Sequence, residues 1–250
     1  MNESMAHRGP DGEGVYLDAN VGLAHRRLAV IDPENGSQPM SISYRGREYT
    51  IVYNGEIYNV PELRARLTLL GAKFKTNCDT EAVLWSYIFW KDFCPNTLNG
   101  IFAFVIYDKA EDKLFVCRDR MGVKPLYYTR KKNCIYFASE TKALLSCGGA
   151  DPKLDMTGLW QLIFMAPATI QGKDIFRDIY ELSPGESAYV DRCGMRSSKY
   201  WELKALPFTD NAEEAASKTL ALLEDAVKRQ LVSDVPLCTF LSGGLDSSVI

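Results

Sequence analysis

The sequence contains 250 residues, of which 46% are hydrophobic and 24% charged, and its formal net charge is −3. This length and composition fit one large globular domain or two smaller ones. The small negative charge offers no basic surface for nucleic acid, which excludes that class of partner. The most apolar stretch, residues 82–90, is about half as long as a membrane-spanning helix, so no membrane partner is expected.

The seven cysteines are scattered along the chain, without a CxxC pair and without a histidine at metal-ligand spacing. Their odd number and irregular spacing favour reduced thiols over a disulfide framework or a zinc site. The first twelve residues also lack the basic and apolar regions of a secretory leader. These features predict a cytoplasmic protein.

Short runs rich in β-branched and aromatic residues dominate the first two hundred residues and predict strands at 21–31, 49–53, 101–107, 113–117, 126–129, 135–138 and 187–190. The polar links 108–112 and 130–133 are short enough to join antiparallel neighbours as hairpins.

Helices are predicted at residues 61–70, where Pro61 suits the first turn and Gly71 the stop, and at residues 80–91. The second helix is so apolar that most of it must be buried.

The last forty residues have a different pattern. A polar stretch at 207–211 precedes an amphipathic helix, whose apolar positions recur at a helical period from Ala216 to Leu231. An apolar run at 237–241 then predicts a buried strand that leads into a glycine-rich loop. Helix, strand and loop in this order are typical of α/β nucleotide-binding domains. We therefore place a domain boundary near Pro207, which divides the chain into residues 1–207 and 208–250.

The loop reads Ser-Gly-Gly-Leu-Asp-Ser-Ser over residues 242–248. Its glycines allow close approach of the backbone to phosphate, and its amides and hydroxyls can donate hydrogen bonds to it. Asp246 would repel phosphate directly, so its expected role is to hold Mg²⁺ against a pyrophosphate. The string lacks the lysine and the spacing of a Walker A loop. The alternative is a strand-to-helix turn without a ligand.

Five short strings in the first 150 residues are each unremarkable alone: 7–12, 24–28, 54–59, 118–128 and 139–144. The pair Asn54-Gly55, for example, is common in tight hairpin turns. In this order, and followed by the glycine loop, the strings resemble glutamine-hydrolysing asparagine synthetases of the bacterial B type. The resemblance covers essentially the whole sequence.

The resemblance implies an α+β fold. Its first part is an N-terminal-nucleophile (Ntn) glutaminase built as an αββα sandwich, and it is followed by the start of an α/β PP-loop ATP pyrophosphatase domain. The implied enzyme is a ligase that takes ammonia from glutamine and passes it through a tunnel. It adenylates aspartate with ATP and Mg²⁺ and releases asparagine, AMP and pyrophosphate. Glutamine, aspartate and ATP are then the substrates, and a homodimer is possible.

The resemblance also implies roles for individual residues. Arg27 corresponds to the arginine that binds the glutamine α-carboxylate, and Asp79 to the carboxylate that binds its α-ammonium group. The Asn54 side chain and the Gly55 amide correspond to an oxyanion hole, whose donors face the charge that develops on the attacked amide oxygen. The remaining implied contacts are Val30, Ile31 and Glu56 for glutamine, and Leu241, Ser242, Gly243, Gly244, Asp246 and Ser247 for ATP.

One expected feature is not found among these residues. In the family the nucleophile is a cysteine directly after the initiator methionine, with its own α-amino group as the base, whereas the first cysteine of this sequence is Cys78. Cys78 is next to Asp79, whose charge disfavours a thiolate. Cys117, Cys134 and Cys238 fall in apolar runs and are predicted to be core. We therefore expect neither glutaminase nor synthetase activity from residues 1–250 alone.

Two other functions are compatible with the same residues. A related enzyme, such as a β-lactam synthetase, could use the same acyl-adenylate chemistry on a different carboxylate. A non-catalytic remnant could bind glutamine without hydrolysing it. The full set of implied glutamine contacts favours a domain that still uses glutamine. Residues 151–180 carry no pattern to which a role can be assigned.

Overall fold

The computed structural model describes residues 1–166 and 172–250. Their strands are β1 Gly12–Leu17, β2 Gly22–Arg27, β3 Met40–Tyr44, β4 Arg47–Ile57, β5 Gly100–Asp108, β6 Lys113–Arg118, β7 Tyr127–Lys131, β8 Cys134–Ala138, β9 Ile179–Glu181, β10 Glu186–Asp191 and β11 Gly194–Lys199. Their α-helices are α1 Val60–Leu69, α2 Asp79–Trp90, α3 Cys94–Thr97, α4 Thr141–Ser146, α5 Met156–Phe164, α6 Ala212–Gln230 and α7 Leu245–Val249. Short 3-10 helices occupy Glu3–Arg8 and Lys91–Phe93.

The centre of the fold is an antiparallel six-stranded sheet in the order β11-β10-β6-β5-β4-β3. A second layer contains the pair β1-β2 and the three-stranded sheet β8-β7-β9. The polar links at 108–112 and 130–133 join β5 to β6 and β7 to β8, so both predicted hairpins are confirmed.

Two hydrophobic clusters cover the two faces of the six-stranded sheet. On one face, Leu63 of α1 and Leu84 of α2 pack in the same cluster as Ile51 of β4. On the other face, Leu23 of β2 packs with Val105 of β5. Helix α4 packs against β7 and β8 on the far side of the second layer. The order helix, sheet, sheet, helix confirms the predicted αββα sandwich.

Burial on both faces explains the composition of the central elements. Strand β5 is buried at every position from 103 to 108, so its sequence is a continuous apolar run rather than an alternating one. Helix α2 is buried from Asp79 to Ile88, and Trp85 is only 4% exposed. The prediction that this helix lies mostly in the core is confirmed.

A turn after β6 is organised by the buried carboxylate of Asp119, which is 1% exposed. The carboxylate accepts hydrogen bonds from the backbone amides of Phe102, Met121, Val123 and Lys124. Because one side chain satisfies four amides from two segments, it fixes the turn to the start of β5, a central strand of the sheet.

The neighbouring Arg118 holds the same turn from the other side. Its guanidinium donates to the carbonyl oxygens of Gly122, Lys124 and Leu182, and it forms an ion pair with Glu181 at 2.8 Å. The string at 118–128 therefore has a structural function, which is to hold Lys124 in place.

Two predicted strands differ from the structure. The strand predicted at 21–31 ends at Arg27, so Val30 and Ile31 lie in a loop rather than on β2. The chain turns there because the Arg27 side chain binds carbonyls of that loop and Asp32 adopts a left-handed backbone with φ 46°. Residues 237–241 form no strand, since no strand edge in the described ranges pairs with them.

The predicted C-terminal helix is present as α6, which begins with a capping box. Asn211 Oδ1 accepts from the amides of Glu213 and Glu214, and Glu214 in turn accepts from the Asn211 amide. Its apolar face is uncovered, and Leu220 is 55% exposed. No helix within 1–166 and 172–250 combines the length and hydropathy needed to cross a bilayer.

The predicted cysteine burial is only partly correct. Cys117 is buried as expected. Cys134 and Cys238 are exposed. Cys134 follows directly after the β7–β8 turn, and Cys238 lies in the unpaired segment after α6.

Replacing Asp119 by alanine should strongly destabilise the domain, because four amides would lose their acceptor in a buried position. We expect a loss of about 3 kcal/mol in unfolding free energy, measured by urea denaturation. Asp151→Ala is the matched control, since that carboxylate is exposed and forms only surface ion pairs. Equal stability of the two variants would contradict the structural role of Asp119.

Candidate functional site

A cavity of about 420 Å³ lies between β2 and β4, a size typical of small-molecule sites. All the residues that the sequence resemblance implies for glutamine line this cavity: Arg27, Val30, Ile31, Asn54, Gly55, Glu56 and Asp79. They come from β2, the loop after it, the end of β4 and the start of α2. The structure therefore brings together residues that are up to 52 positions apart in the sequence.

Arg27 lies at the end of β2 and is held by the loop that follows. Its Nη1 donates to the carbonyl of Pro33 at 2.7 Å, and its Nη2 to those of Ile31 and Asp32 at 2.9 and 2.7 Å. These bonds use three of the five N–H donors of the guanidinium and leave two for a ligand. A Cβ on Gly36 would overlap Nη2 and lie 2.9 Å from Cζ, so a larger residue here would have to displace the guanidinium.

The loop itself is fixed by Asp32, which is 9% exposed. Its carboxylate accepts from the backbone and side-chain amides of Asn35 and from the Asn77 amide. These hydrogen bonds, led by the one from Asn77, lower the pKa of the Asp32 carboxyl despite partial desolvation. The amide of Asp32 donates to Asp234 Oδ2 at 2.8 Å, and the amide of Asp234 donates to Val30 O.

Asp79 is the first residue of α2 and is 6% exposed. Its Oδ2 accepts from the Tyr53 hydroxyl at 2.7 Å and from the Ile57 amide at 3.2 Å. Burial raises the pKa of this carboxyl, and the hydrogen bonds only partly offset that effect. No cation within the described residues pairs with this buried carboxylate, which makes it a suitable partner for a positively charged group.

Gln38 is a cavity residue that sequence reasoning missed. Strand β3 pairs with β4 only from Arg47 to Ile51. Beyond Ile51, the side-chain carboxamide of Gln38 pairs with β4 instead. Its Oε1 accepts from Tyr53 N at 2.7 Å, and its Nε2 donates to Tyr53 O at 3.1 Å. The Gln38 side chain thus makes the hydrogen bonds to β4 that a neighbouring strand would otherwise make at this part of the cavity. No pattern in the sequence marks a glutamine for this role.

The pair Asn54 and Gly55 lies near the end of β4. The Asn54 Nδ2 group is buried and has no partner within the described residues. A Cβ on Gly55 would overlap the carbonyl oxygen of Ile101 and lie 2.8 Å from Phe102 Cα. Glycine is therefore required here by the close contact with β5, whatever role its amide has.

Glu56 lies beside the cavity with Lys124. Burial is the largest effect on the Glu56 carboxyl and raises its pKa, while the charge of Lys124 acts in the opposite direction. Lys124 is the side chain that the Arg118 and Asp119 turn presents to the cavity. Two cations, Arg27 and Lys124, and two carboxyls, Glu56 and Asp79, thus face one volume.

The cysteines near these elements are not activated. Burial raises the pKa of the thiols of Cys78, Cys94 and Cys117. At Cys78 the charge of Asp79 acts in the same direction but is a smaller effect than burial. None of these thiols is suited to act as a thiolate nucleophile near neutral pH.

The glycine-rich loop at 242–248 is an exposed turn into α7. Gly243 has φ 76°, a conformation that favours glycine, and Gly244 is the residue before the helix. Ser242 and Ser247 share a hydrogen bond of 2.9 Å, and Ser248 Oγ donates to the Gly244 carbonyl. Within the described residues, no group of three or more His, Cys, Asp or Glu side chains could hold a metal ion.

The chain matches the profiles of two known protein families. The profile described as "Glutamine amidotransferase domain" matches residues 1–201, and the profile "Asparagine synthase" matches residues 218–250. The chain belongs to the glutamine amidotransferase domain family. The first profile covers the cavity and every residue that lines it.

Similar proteins extend the amidotransferase assignment. The chain is 43% identical over its full length to asparagine synthetase [glutamine-hydrolyzing] 3 of Bacillus subtilis and 37% identical to asparagine synthetase [glutamine-hydrolyzing] 1 of the same organism. It is 36% identical to a putative asparagine synthetase of Methanocaldococcus jannaschii. It spans 41%, 39% and 52% of the length of these relatives.

Solved structures support the fold. Glutamine phosphoribosylpyrophosphate amidotransferase from B. subtilis aligns with a TM-score of 0.59 at 22% identity, over 80% of this chain and 45% of that one. A second structure, described as the allosteric regulatory enzyme of purine biosynthesis, aligns with a TM-score of 0.54 at 22% identity, over 72% of this chain and 35% of that one. At this identity the likeness establishes the sandwich fold.

The raised pKa of Asp79 predicts a pH-dependent cost to stability. The cost is absent when the carboxyl is protonated in both states, appears as the pH rises above the unfolded value of about 3.9, and is complete above the folded value. Asp79→Asn removes it while the amide oxygen can still accept from Tyr53 and Ile57. Relative to the unchanged chain, the variant should therefore gain on the order of 1 kcal/mol between about pH 3 and pH 8.

This gain can be measured by urea denaturation at the two pH values without ligand. A variant that loses stability relative to the unchanged chain as the pH rises would show that the hydrogen bonds to Asp79 outweigh its burial.

Proposed function

We propose that this chain is the glutamine-binding part, and the start of the ATP-binding part, of a glutamine-dependent asparagine synthetase. The observation that supports this most directly is the charge pattern of the cavity. Among the described residues, Arg27 keeps free guanidinium donors at one point, and Asp79 is a buried carboxyl without a cation at another. An α-amino acid carries the matching carboxylate and ammonium groups on one carbon.

The proposed binding mode uses each group for one function. Arg27 binds the α-carboxylate and Asp79 the α-ammonium group of glutamine. The glutamine side chain then points along β4, where Asn54 Nδ2 and the Gly55 amide donate to the carboxamide oxygen. As the carbonyl is attacked, negative charge grows on that oxygen, and fixed donors in a buried site stabilise it more than they stabilise the ground state.

The residues described here supply binding and oxyanion stabilisation. They do not supply the attacking thiolate, because the cysteine that lines the cavity is Cys78, and burial raises the pKa of its thiol. In the family that the chain resembles, this role belongs to a cysteine at the mature N-terminus, whose attack releases ammonia and leads to glutamate.

The loop at 242–248 is the proposed ATP site. Its glycine amides and serine hydroxyls form a donor set that fits pyrophosphate oxygens, and the Asp246 carboxylate fits Mg²⁺. When bound, Mg²⁺ would neutralise charge on the departing pyrophosphate as the aspartate side-chain carboxylate attacks the α-phosphate of ATP. Ammonia from the first site would convert the resulting acyl-adenylate to asparagine and AMP.

L-Glutamine should raise the melting temperature of the chain, because a ligand that binds only the folded state stabilises it by mass action. D-Glutamine should not, since inversion at the α-carbon exchanges the groups that face Arg27 and Asp79. Gly36→Ala should weaken L-glutamine binding about tenfold by displacing the Arg27 guanidinium. The control is Gly12→Ala, whose new Cβ would make only an ordinary contact of 3.8 Å with Arg27 Cβ.

Equal protection by both enantiomers, or by neither, would contradict the proposed glutamine site.

The ATP site has a separate test. Broadening of the β-phosphate signal of ATP in ³¹P spectra should require both Mg²⁺ and the chain, and Asp246→Asn should abolish the Mg²⁺ requirement. Asp225→Asn, on the exposed face of α6, is the control. The same broadening with and without Mg²⁺ in the unchanged chain would contradict the role of Asp246.

A further inference from the structure

Two polar atoms in the cavity walls are buried and have no hydrogen-bond partner within the described residues. One is Asn54 Nδ2, a donor, and the other is Nδ1 of His25. Buried polar atoms are nearly always paired, so an unpaired atom that faces a cavity points to a ligand group. His25 carries none of the functions assigned above.

Strand alternation places the two side chains on facing surfaces. On β2, Leu23 packs into the cluster between the two layers, and His25, two residues on, shares its face. On β4, Val52 packs against the same cluster, so Asn54 faces β2. His25 Nε2 lies 3.0 Å from the carbonyl oxygen of Tyr53, the residue before Asn54.

This contact fixes the state of the imidazole ring. A carbonyl oxygen can only accept, so Nε2 must carry the hydrogen. Burial, assisted by the charge of Arg27, lowers the pKa of His25 and keeps the ring neutral at neutral pH, while the bond to Tyr53 acts in the opposite direction. In this tautomer Nδ1 is an unprotonated acceptor.

A donor and an acceptor on facing walls match the two ends of a primary carboxamide, which has a carbonyl oxygen and an N–H. We propose that His25 is a specificity-determining residue whose Nδ1 accepts a hydrogen bond from the carboxamide N–H of glutamine, while Asn54 donates to its oxygen. The proposal rests on the glutamine site described above and adds a function for His25. A γ-ester has no N–H, and the γ-carboxylate of glutamate would place a lone pair against Nδ1.

His25 would therefore discriminate the substrate amide from the acid that hydrolysis produces. A site built to hydrogen-bond a ligand N–H rejects an analogue without it, because a buried acceptor is then left unpaired.

The test compares two ligands and two variants by calorimetry on the chain of 250 residues. The ligands are L-glutamine and L-glutamate γ-methyl ester, which keep the same α-groups and differ in the γ-N–H. In His25→Gln the new amide nitrogen can still donate to Tyr53 O, but the Nδ1 acceptor is lost. In His25→Asn the new amide oxygen can replace Nδ1, but the bond to Tyr53 is lost.

We expect His25→Gln to weaken glutamine binding about tenfold, the usual effect of one hydrogen bond in a buried site, and to change ester binding less than twofold. His25→Asn should keep the preference for amide over ester, even if it lowers the melting temperature. If His25→Asn keeps this preference, the effect of His25→Gln comes from the lost acceptor for the N–H and not from a structural effect of losing the ring.

One result would overturn the assignment of His25. It is an equal loss of affinity for both ligands in His25→Gln, which would leave the ratio of the two affinities unchanged. Failure of the unchanged chain to bind either ligand would instead contradict the glutamine site itself, and the role of His25 with it.

Discussion

The buried residue Asp32 connects the parts of the chain that form the cavity. Its carbonyl accepts from Arg27, its carboxylate accepts from Asn77 just before α2, and its amide donates to Asp234. Its left-handed backbone turns the chain after β2 so that these bonds can form together. The position of the Arg27 guanidinium thus depends on a turn that Asp32 fixes, and so does its distance from Asp79.

The contact with Asp234 links the two matched regions of the chain. Asp234 lies between α6 and the glycine-rich loop, whereas Val30 and Asp32 belong to the wall of the cavity. In the enzyme proposed above, ammonia released at the first site would be used at the second. A direct pair of hydrogen bonds between the two regions gives the loop of the first site a fixed relation to the chain that leads into the second.

Three groups that line the cavity lower the stability of the ligand-free fold. Asp79 is desolvated without a cation, and Asn54 Nδ2 and His25 Nδ1 are buried without partners within the described residues. Each such group destabilises the ligand-free fold, and each is relieved by one group of a bound amino acid with a carboxamide side chain. Groups that conflict with stability but agree with one ligand are typical of a binding site rather than of a core.

Sequence reasoning identified much of this but not all. The resemblance implied that Arg27, Asn54 and Asp79 belong to one site, and all three line the cavity. Gln38 was missed because its function arises only from the point at which β3 stops pairing with β4. The strand expected at 237–241 was wrong because an apolar run predicts a strand only where a neighbouring edge exists to pair with it.

The turns were the other feature that could not be predicted from the sequence. Val30 and Ile31 line the cavity as the resemblance implies, but from a loop, since the bonds of Arg27 to backbone carbonyls cannot be read from residue types. Likewise, the string 118–128 contributed to the resemblance without a role of its own. In the structure, Arg118 and Asp119 bind backbone groups, and Lys124 is the residue that reaches the cavity.

The proposed site requires that one glutamine molecule occupies the cavity in a single orientation. A crystal structure of the chain with L-glutamine would show that orientation. We expect the α-carboxylate on Arg27, the α-ammonium group on Asp79, and the carboxamide between Asn54 and His25. Glutamine bound in the reverse orientation, or bound only outside the cavity, would contradict the proposed site.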